Sequence, residues 1–490
     1  MRYSLIGLLF IWVIGYSCRK GSSSEISTPE ESNLSGEELA KIHCSGCHIF
    51  PDPKFLPKAI WLNSVLPKMA LRLGQGEFML EMMNYPNEEM MTIINSGVYP
   101  QNPVMAKADW EKILKYYGEN APDSLIQNEI LKTKELLGFS LKEQRIDANE
   151  IDFTEFDSTK NQTFIGTSTK SRVYTLSKNG NIVDSIKTKS PVVDIKYHKY
   201  LGKVNLEVGI LNPSDLSEGR LLAGNKVLID KLHRPVNMVL ADLNSDDYED
   251  FIISNFGNLT GNLTWYDGKT FKENILINEP GARVVYHVDF DKDGKNDILA
   301  LMTQGRESII WFRNTGNGEF EMKTLLSFPS YFGSSYFEAK DLDFDGDLDF
   351  VYTNGDNADL SITKKPFHGV RIYLNDGNAV FKEKYFYPIN GASKVIAEDF
   401  DNDKDFDLVV ISFFPEAKRN EAFLFFEGQA DLKFEVSSKK KVSSHKWLTM
   451  DSGDFDKDGD RDIILGAFNR ELHKKAGVKS VVILENLLLN

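Results

Sequence analysis

A nine-residue acidic stretch occurs five times and constrains what this chain can fold into. It reads DLNSDDYED from Asp242, DFDKDGKND from Asp289, DLDFDGDLD from Asp341, DFDNDKDFD from Asp399 and DFDKDGDRD from Asp454. Places 1, 3, 5 and 9 carry oxygen-bearing side chains every time. In the first copy these are Asp242, Asn244, Asp246 and Asp250, and in the second Asp289, Asp291, Asp293 and Asp297. The third has Asp341, Asp343, Asp345 and Asp349, and the fourth Asp399, Asp401, Asp403 and Asp407. The fifth has Asp454, Asp456, Asp458 and Asp462. Such alternation suits a tight loop whose odd-numbered side chains converge on one point. Converging carboxylates without a counter-charge repel one another, so each loop is expected to hold a hard cation. Ca2+ fits, since it takes six to eight oxygens, with the place-7 carbonyl and water completing the shell. Up to five Ca2+ ions are expected.

Two rival readings share these residues. An EF-hand loop needs a bidentate Glu at place 12 and a helix on each side. Place 12 here is Ala300 or Leu465, for example, and a β-type run (DFIISNF, DILALMT, DFVYTNG, DLVVISF, DIILGAF) spans or follows the end of each loop. That excludes the EF-hand. The other rival is five solvated acidic turns with no metal, which would not need to keep the alternation. Place 6 favours Gly for a sharp turn. Asp247 and Lys404 stand there in loops one and four, so those two are expected to bind more weakly.

At 490 residues the chain exceeds one ordinary core, and two or more domains are expected. The net charge of −15 argues against nucleic acid as a partner. Since 24 of the 72 acidic residues lie in the five loops, the acidity reads as metal affinity.

The chain opens MRYSLIGLLFIWVIGYSC. The apolar run Leu5 to Ile14 has the make-up of an export signal and is short for a membrane span. Gly15-Tyr16-Ser17-Cys18 resembles the lipobox of bacterial lipoproteins, which implies a signal peptide over 1–18 and lipidation of Cys18. A single-pass anchor built from the same segment is the alternative. Both readings place the remainder outside the cytoplasm, tied to a membrane and facing the periplasm or the cell surface. Residues 19–33 are polar and aperiodic, a flexible tether.

Three cysteines occur: Cys18, Cys44 and Cys47. The last two stand in Cys44-Ser-Gly-Cys47-His48, the C-x-x-C-H attachment signature of c-type haem. Two thiols at this spacing reach two vinyl groups of one porphyrin, and His48 supplies an axial nitrogen. Thioredoxin-like chemistry wants a βαβ setting, and structural zinc wants four ligands; neither is found here. Ser35 and Glu38 form a capping box before a short helix. Further helical runs are expected at 59–73, 87–96 and 108–117. The last, DWEKILKYYG, resembles the C-terminal helix of class I cytochromes c. Residues 34–120 therefore resemble a small all-α cytochrome c domain carrying one covalent haem c. The sixth ligand is left between Met105, in a Pro-flanked loop, Met69, and an open position.

Residues 121–150 read as a charged, partly helical connector. From there to 490 the pattern is short β-runs and turns, an all-β unit. Strand-like starts recur at Phe153, Val192, Val236, Val284, Phe337, Val395 and Trp447, which favours a seven-bladed propeller. The first two units lack the acidic loop. The last ends at a third strand, so a strand from before Phe153 is expected to complete it and close the ring. The five loops between paired strands resemble the FG-GAP, or VCBS, repeats of integrin-α-like propellers. That resemblance implies a calcium-stabilised propeller used for adhesion or ligand binding, here the second unit of a multidomain chain, without implying catalysis. His198, His233, His287, His368, His445 and His473 are scattered, and no hydrolase or phosphate-binding motif occurs.

Together these features predict a membrane-tethered electron-transfer c-type cytochrome, with redox partner proteins and a propeller that docks a partner. One alternative is a surface recognition protein whose propeller binds glycan or protein ligands, the haem being accessory. Another is an oxidoreductase with its site in the propeller channel. Because the loops and the C-x-x-C-H motif lie in separate segments, the two are expected to respond independently to a chelator.

Overall fold

The computed structural model describes residues 29–46, 48–129, 132–144, 146, 148–357, 363–443, 445–469 and 479–488. Cys18, Cys47 and His473 lie outside the described residues. Among the described residues no helix is long and apolar enough to cross a membrane.

Two parts are built in chain order. The first is helical: α1 (Gly36–Cys44), α2 (Lys58–Ile60), α3 (Leu66–Arg72), α4 (Phe78–Met82), α5 (Asn87–Ser96) and α6 (Lys107–Asn120). A π-turn over Trp61–Val65 joins α2 to α3. The expected capping box is present, with Ser35 accepting from the Glu38 N–H and Glu38 accepting from the Ser35 N–H. Helix α1 crosses α6 at Gly36, where a Cβ would come within 2.2 Å of the Lys112 carbonyl oxygen. Only glycine permits that approach.

The second part is a propeller of seven antiparallel sheets. The inner strands of blades one to seven are Ile151–Asp157, Val192–His198, Pro235–Ala241, Ala282–Val288, Ser334–Lys340, Ala392–Glu398 and Trp447–Gly453. Each begins where the sequence periodicity puts it, to within three residues. Every inner strand carries a register shift just after its first paired residue. A bulge there sharpens the local twist, which lets seven strand edges converge on one axis. Around that axis neighbouring blades are stapled by side chains. Asp194 accepts from the Met238 N–H at 2.8 Å, Asn237 from Val285 at 3.0 Å, Glu338 from Ala397 at 2.9 Å and Asp451 from Phe156 at 2.6 Å. Lys196 bonds Glu155 and Asp194 at 2.9 and 2.8 Å. Backbone donors at the inner edge are thereby satisfied without a further strand.

Blade seven is made from both ends of the propeller sequence. Phe139–Gln144 pairs antiparallel with Val481–Asn486, outside Asp462–Ala467 and Trp447–Gly453. Lys134–Glu135 adds in parallel to Lys433–Ser438 of blade six. Where a partly helical connector is expected over 121–150, the described residues form these two strands and extended chain, with no helix. Pairing with an open sheet edge overrides the helical leaning of the local sequence.

Candidate functional sites

Four-stranded meanders put alternate turns on opposite faces of the ring. In blades three to seven the acidic stretch joins the inner strand to the second strand, so all five loops share one face. Residues 329–333, 355–357, 363–368 and 208–218 lie on the other face, and there the helical part docks.

Within each loop the aspartates have separate jobs. The place-1 Asp accepts the N–H of place 5 or place 6: Asp242 from Asp246 and Asp247, Asp289 from Asp293 and Gly294, Asp341 from Gly346, Asp399 from Asp403 and Lys404, and Asp454 from Asp458. Place 5 accepts from place 7 in every loop, as Asp345 does from Asp347 at 2.9 Å. Backbone φ is positive at place 6 in all five: Asp247, Gly294, Gly346, Lys404 and Gly459. It is positive at place 4 too, at Ser245, Lys292, Phe344, Asn402 and Lys457. Two left-handed residues wind each loop so that its odd places face inward.

Place 9 does more than sequence reasoning assigns to it. Asp250, Asp297, Asp349, Asp407 and Asp462 are buried, and each accepts two backbone N–H groups. One comes from place 2 of its own loop (Leu243, Phe290, Leu342, Phe400, Phe455). The other comes from Gly268, Asn314, Asn375, Gly428 or Asn486, at or just beyond the end of the blade's third strand. These aspartates clamp the loop to its blade. Burial, only partly offset by these hydrogen bonds and reinforced by nearby aspartates, pushes their pKa values up, to about 6 for Asp250 and Asp349 and about 7 for Asp407 and Asp462.

The predicted cation fits the donor set. Carboxylate oxygens from places 1, 3 and 9 lie within 4.8 Å of one another in loops two, three and four. In loop five the group is Asp454, Asp456 and Asp458. Loop one, with Asn244 at place 3, brings together no such trio of carboxylates. Buried oxygens of Asn244, Asp291, Asp341 and Asp456 have no hydrogen-bond partner, the situation a hard cation relieves. Loops one and two carry cations of their own. Lys269 reaches Asp246 at 2.9 Å, and Arg313 reaches Asp291 at 2.5 Å with Lys295 on Asp293 at 2.8 Å.

Blades one and two lack the stretch, as expected. Asp157 caps the first short turn by accepting from Thr159 and Lys160. His198, 2 % exposed, caps the second through Nδ1, which accepts from the Tyr200 and Leu201 N–H groups.

On the opposite face, Cys44 ends α1. Burial pushes its thiol up to about 11, beside the Tyr117 hydroxyl. Tyr117 Oη donates to the Pro51 carbonyl at 2.8 Å, and Trp61 Nε1 donates to the Pro53 carbonyl at 2.8 Å. Two core rings thus suspend the backbone after the motif. His48 Nδ1 lies 3.0 Å from the Ile49 carbonyl oxygen, a contact in which Nδ1 donates and which leaves Nε2 as the nitrogen that can face a ligand. Met105 is buried in the same core as Cys44, its carbonyl held by Gln75 Nε2 at 2.5 Å, and Met69 is partly buried against that core. Among the described residues, 34–104 also hold nine of the 23 exposed large apolar side chains, including Ile42, Ile49, Met79, Met83 and Met91. An imidazole anchored through Nδ1, a half-buried cysteine and surplus apolar surface suit a porphyrin.

This core is not self-contained. Tyr331, from the connection between blades four and five, is one of its buried members. Phe55 stacks on it and meets Phe367 edge-on at 5.9 Å. Ile49 bridges to Pro329, and Glu89 Oε1 accepts from the Asp215 N–H at 2.7 Å. Sequence reasoning, which treats the two parts as separate, has no local signal for these contacts.

The family model described as an FG-GAP-like repeat matches residues 289–352, from the second acidic loop to the strand after the third. No curated protein matches the chain. Among solved structures, BBS1N in complex with ARL6DN is 9 % identical with a TM-score of 0.41, covering 70 % of this chain and 92 % of that one. Saccharomyces cerevisiae Sqt1 is 9 % identical with a TM-score of 0.43, covering 73 % and 100 %. At these values neither structure says what this chain binds. The seven sheets and the recurring acidic loop make the chain a seven-bladed β-propeller with an FG-GAP-like repeat, preceded by a small helical part.

Proposed function

We propose that the chain is a membrane-tethered c-type cytochrome whose Ca2+-clasped propeller docks a redox partner. Cys18 carries the lipid, and the rest lies outside the cytoplasm. Bound haem c would supply one-electron transfer. Cys44 and Cys47 would hold it, with His48 Nε2 as a ligand, and Met105 is favoured over Met69 as a further ligand because it is the more deeply buried. The remaining work belongs to the protein. Tyr117 and Trp61 suspend the strand after the motif, and Phe55 against Tyr331 keeps the haem-bearing part at a set place on the propeller. The partner therefore meets a rigid composite surface, and the tether between Cys18 and α1 supplies the reach.

The observation that carries the reading is the His48 geometry, Nδ1 held by a carbonyl at 3.0 Å beside a half-buried Cys44. Its test is mass spectrometry and an oxidised-minus-reduced visible spectrum of protein matured in a host that attaches haem. A haem-sized mass increment absent in Cys44→Ala supports it. Unmodified protein from that host would refute it. The second reading, a surface recognition protein, draws on the five loops gathered on one face, and predicts ligand binding that survives Cys44→Ala.

A further inference from the structure

The loop face is not acidic all round. Residues 151–234, which form blades one and two, carry 13 Lys and Arg against nine Asp and Glu, in a chain of net charge −15. Their short inner turns present a ribbon of lysines and tyrosines. Lys160 lies over the Tyr197 ring at 5.5 Å, Lys199 over Tyr200 at 5.2 Å and Lys203 over Phe164 at 4.5 Å. Tyr200 also stacks on Tyr248 of the blade-three loop, with centroids 4.2 Å apart and planes at 15°. Tyr197 and Tyr200 remain 39 % and 50 % exposed. Among the described residues, none of these three lysines has a carboxylate within ion-pair distance.

We propose that this ribbon on blades one to three, Lys160, Tyr197, Lys199, Tyr200 and Lys203, binds an acidic polysaccharide. A sugar ring has an apolar C–H face that packs against the exposed edge of Tyr197 or Tyr200, and its carboxylate or sulfate group then meets the ammonium already held over that ring. Two other polyanions fit less well. An acidic peptide docks mainly through backbone hydrogen bonds, and the nearby donors are consumed: Lys160 N–H by Asp157, Tyr200 and Leu201 N–H by His198, and Lys199 N–H by Glu249. A nucleic acid is held through many phosphate contacts at once, and the ribbon offers only three lysines. The inference rests on the second reading above, a surface recognition protein, and gives it a site and a ligand class.

The test uses the full chain with Ca2+ and four probes: alginate oligomers, heparin oligosaccharides, dextran of similar length and poly-glutamate. Calorimetry is expected to show saturable binding of alginate or heparin and none of dextran or poly-glutamate. All the targeted side chains lie on turns or strand ends near the surface, so the Lys199→Glu/Lys203→Glu double variant should melt like the parent. It should bind about tenfold more weakly. Tyr200→Ala should also weaken binding, which a purely electrostatic surface would not show. Equal binding of poly-glutamate would identify an acidic protein as the partner and overturn the proposal. So would unaltered affinity in either variant, or no binding of either acidic glycan. If another partner is still captured by the double variant in that case, the recognition reading stands and only this site falls.

Discussion

The ring of Phe55 stacks on that of Tyr331 with centroids 5.0 Å apart and planes at 22°. One belongs to the short 3-10 turn after the C-x-x-C-H segment and the other to the connection between two blades, so this pair joins the helical part to the propeller. Tyr331→Ala is expected to destabilise the helical part by about 3 kcal/mol. In a double-mutant cycle with Phe55→Ala the two losses should not add. Urea melts followed by fluorescence and circular dichroism check both statements.

Chelation should act from the opposite face. Removing Ca2+ is expected to lower the melting temperature by the linkage between ion binding and folding. A haem Soret band should hold until the propeller itself melts, then change together with it, because Tyr331 completes the core around Cys44. Calorimetry with and without EGTA, read beside the visible spectrum, tests this. Two separate transitions would contradict it.

Places 1, 3 and 9 should not respond alike to mutation. Asp407→Asn removes one acceptor from a buried clamp and is expected to cost about 1–3 kcal/mol with or without calcium. Asp401→Asn should cost little in EGTA and show its effect only when calcium is present. Comparing the melting temperatures of both variants in the two buffers separates clamp from ligand.

Lys404 holds a left-handed backbone at φ 80° where three sister loops have glycine. Lys404→Gly is expected to stabilise by about 1 kcal/mol, since only glycine takes that conformation without steric cost. Asp247→Gly, at φ 64°, should do the same. The corresponding change at place 4, Asn402→Gly, tests whether both left-handed positions store strain. Urea midpoints are the readout.

Glu307 is 3 % exposed, and burial pushes its pKa up to about 7 despite three hydrogen bonds, from Gly333 N–H and from Ser334 N–H and Oγ. A carboxyl whose folded value exceeds its unfolded one stabilises fully below the unfolded value, near 4.5. That stability is lost as pH rises through about 7. The span is worth roughly 3 kcal/mol. Glu307→Gln should therefore flatten the pH dependence between these limits, at a cost of about 1 kcal/mol for one lost acceptor.

Much of the propeller was legible because each acidic loop follows an inner strand at a set offset, so blade starts could be counted even where strands are short. The closing strand was legible from arithmetic alone, the last unit being one strand short. Residues 121–150 misled because SLIQNEILKTKELLGF spaces its apolar residues like a helix, while the demand for a strand comes from Val481–Asn486, far along the chain. The clamp role of Asp250 and its four counterparts was hidden for a similar reason. Its second donors, Gly268 or Asn314 among them, stand beyond another strand, and a nine-residue window cannot contain them. The capping of the blade-two turn by His198 had no signal at all, since an imidazole ends that inner strand where Asp157 ends it in blade one.

Because Phe139–Gln144 can pair only with Val481–Asn486, the ring stays an open arc until synthesis has passed residue 486. Every blade made earlier waits with one unshielded flank, exposed to proteases and to neighbouring nascent chains. A stop codon that removes only this last strand should therefore yield an aggregated or degraded product, not a slightly shortened one.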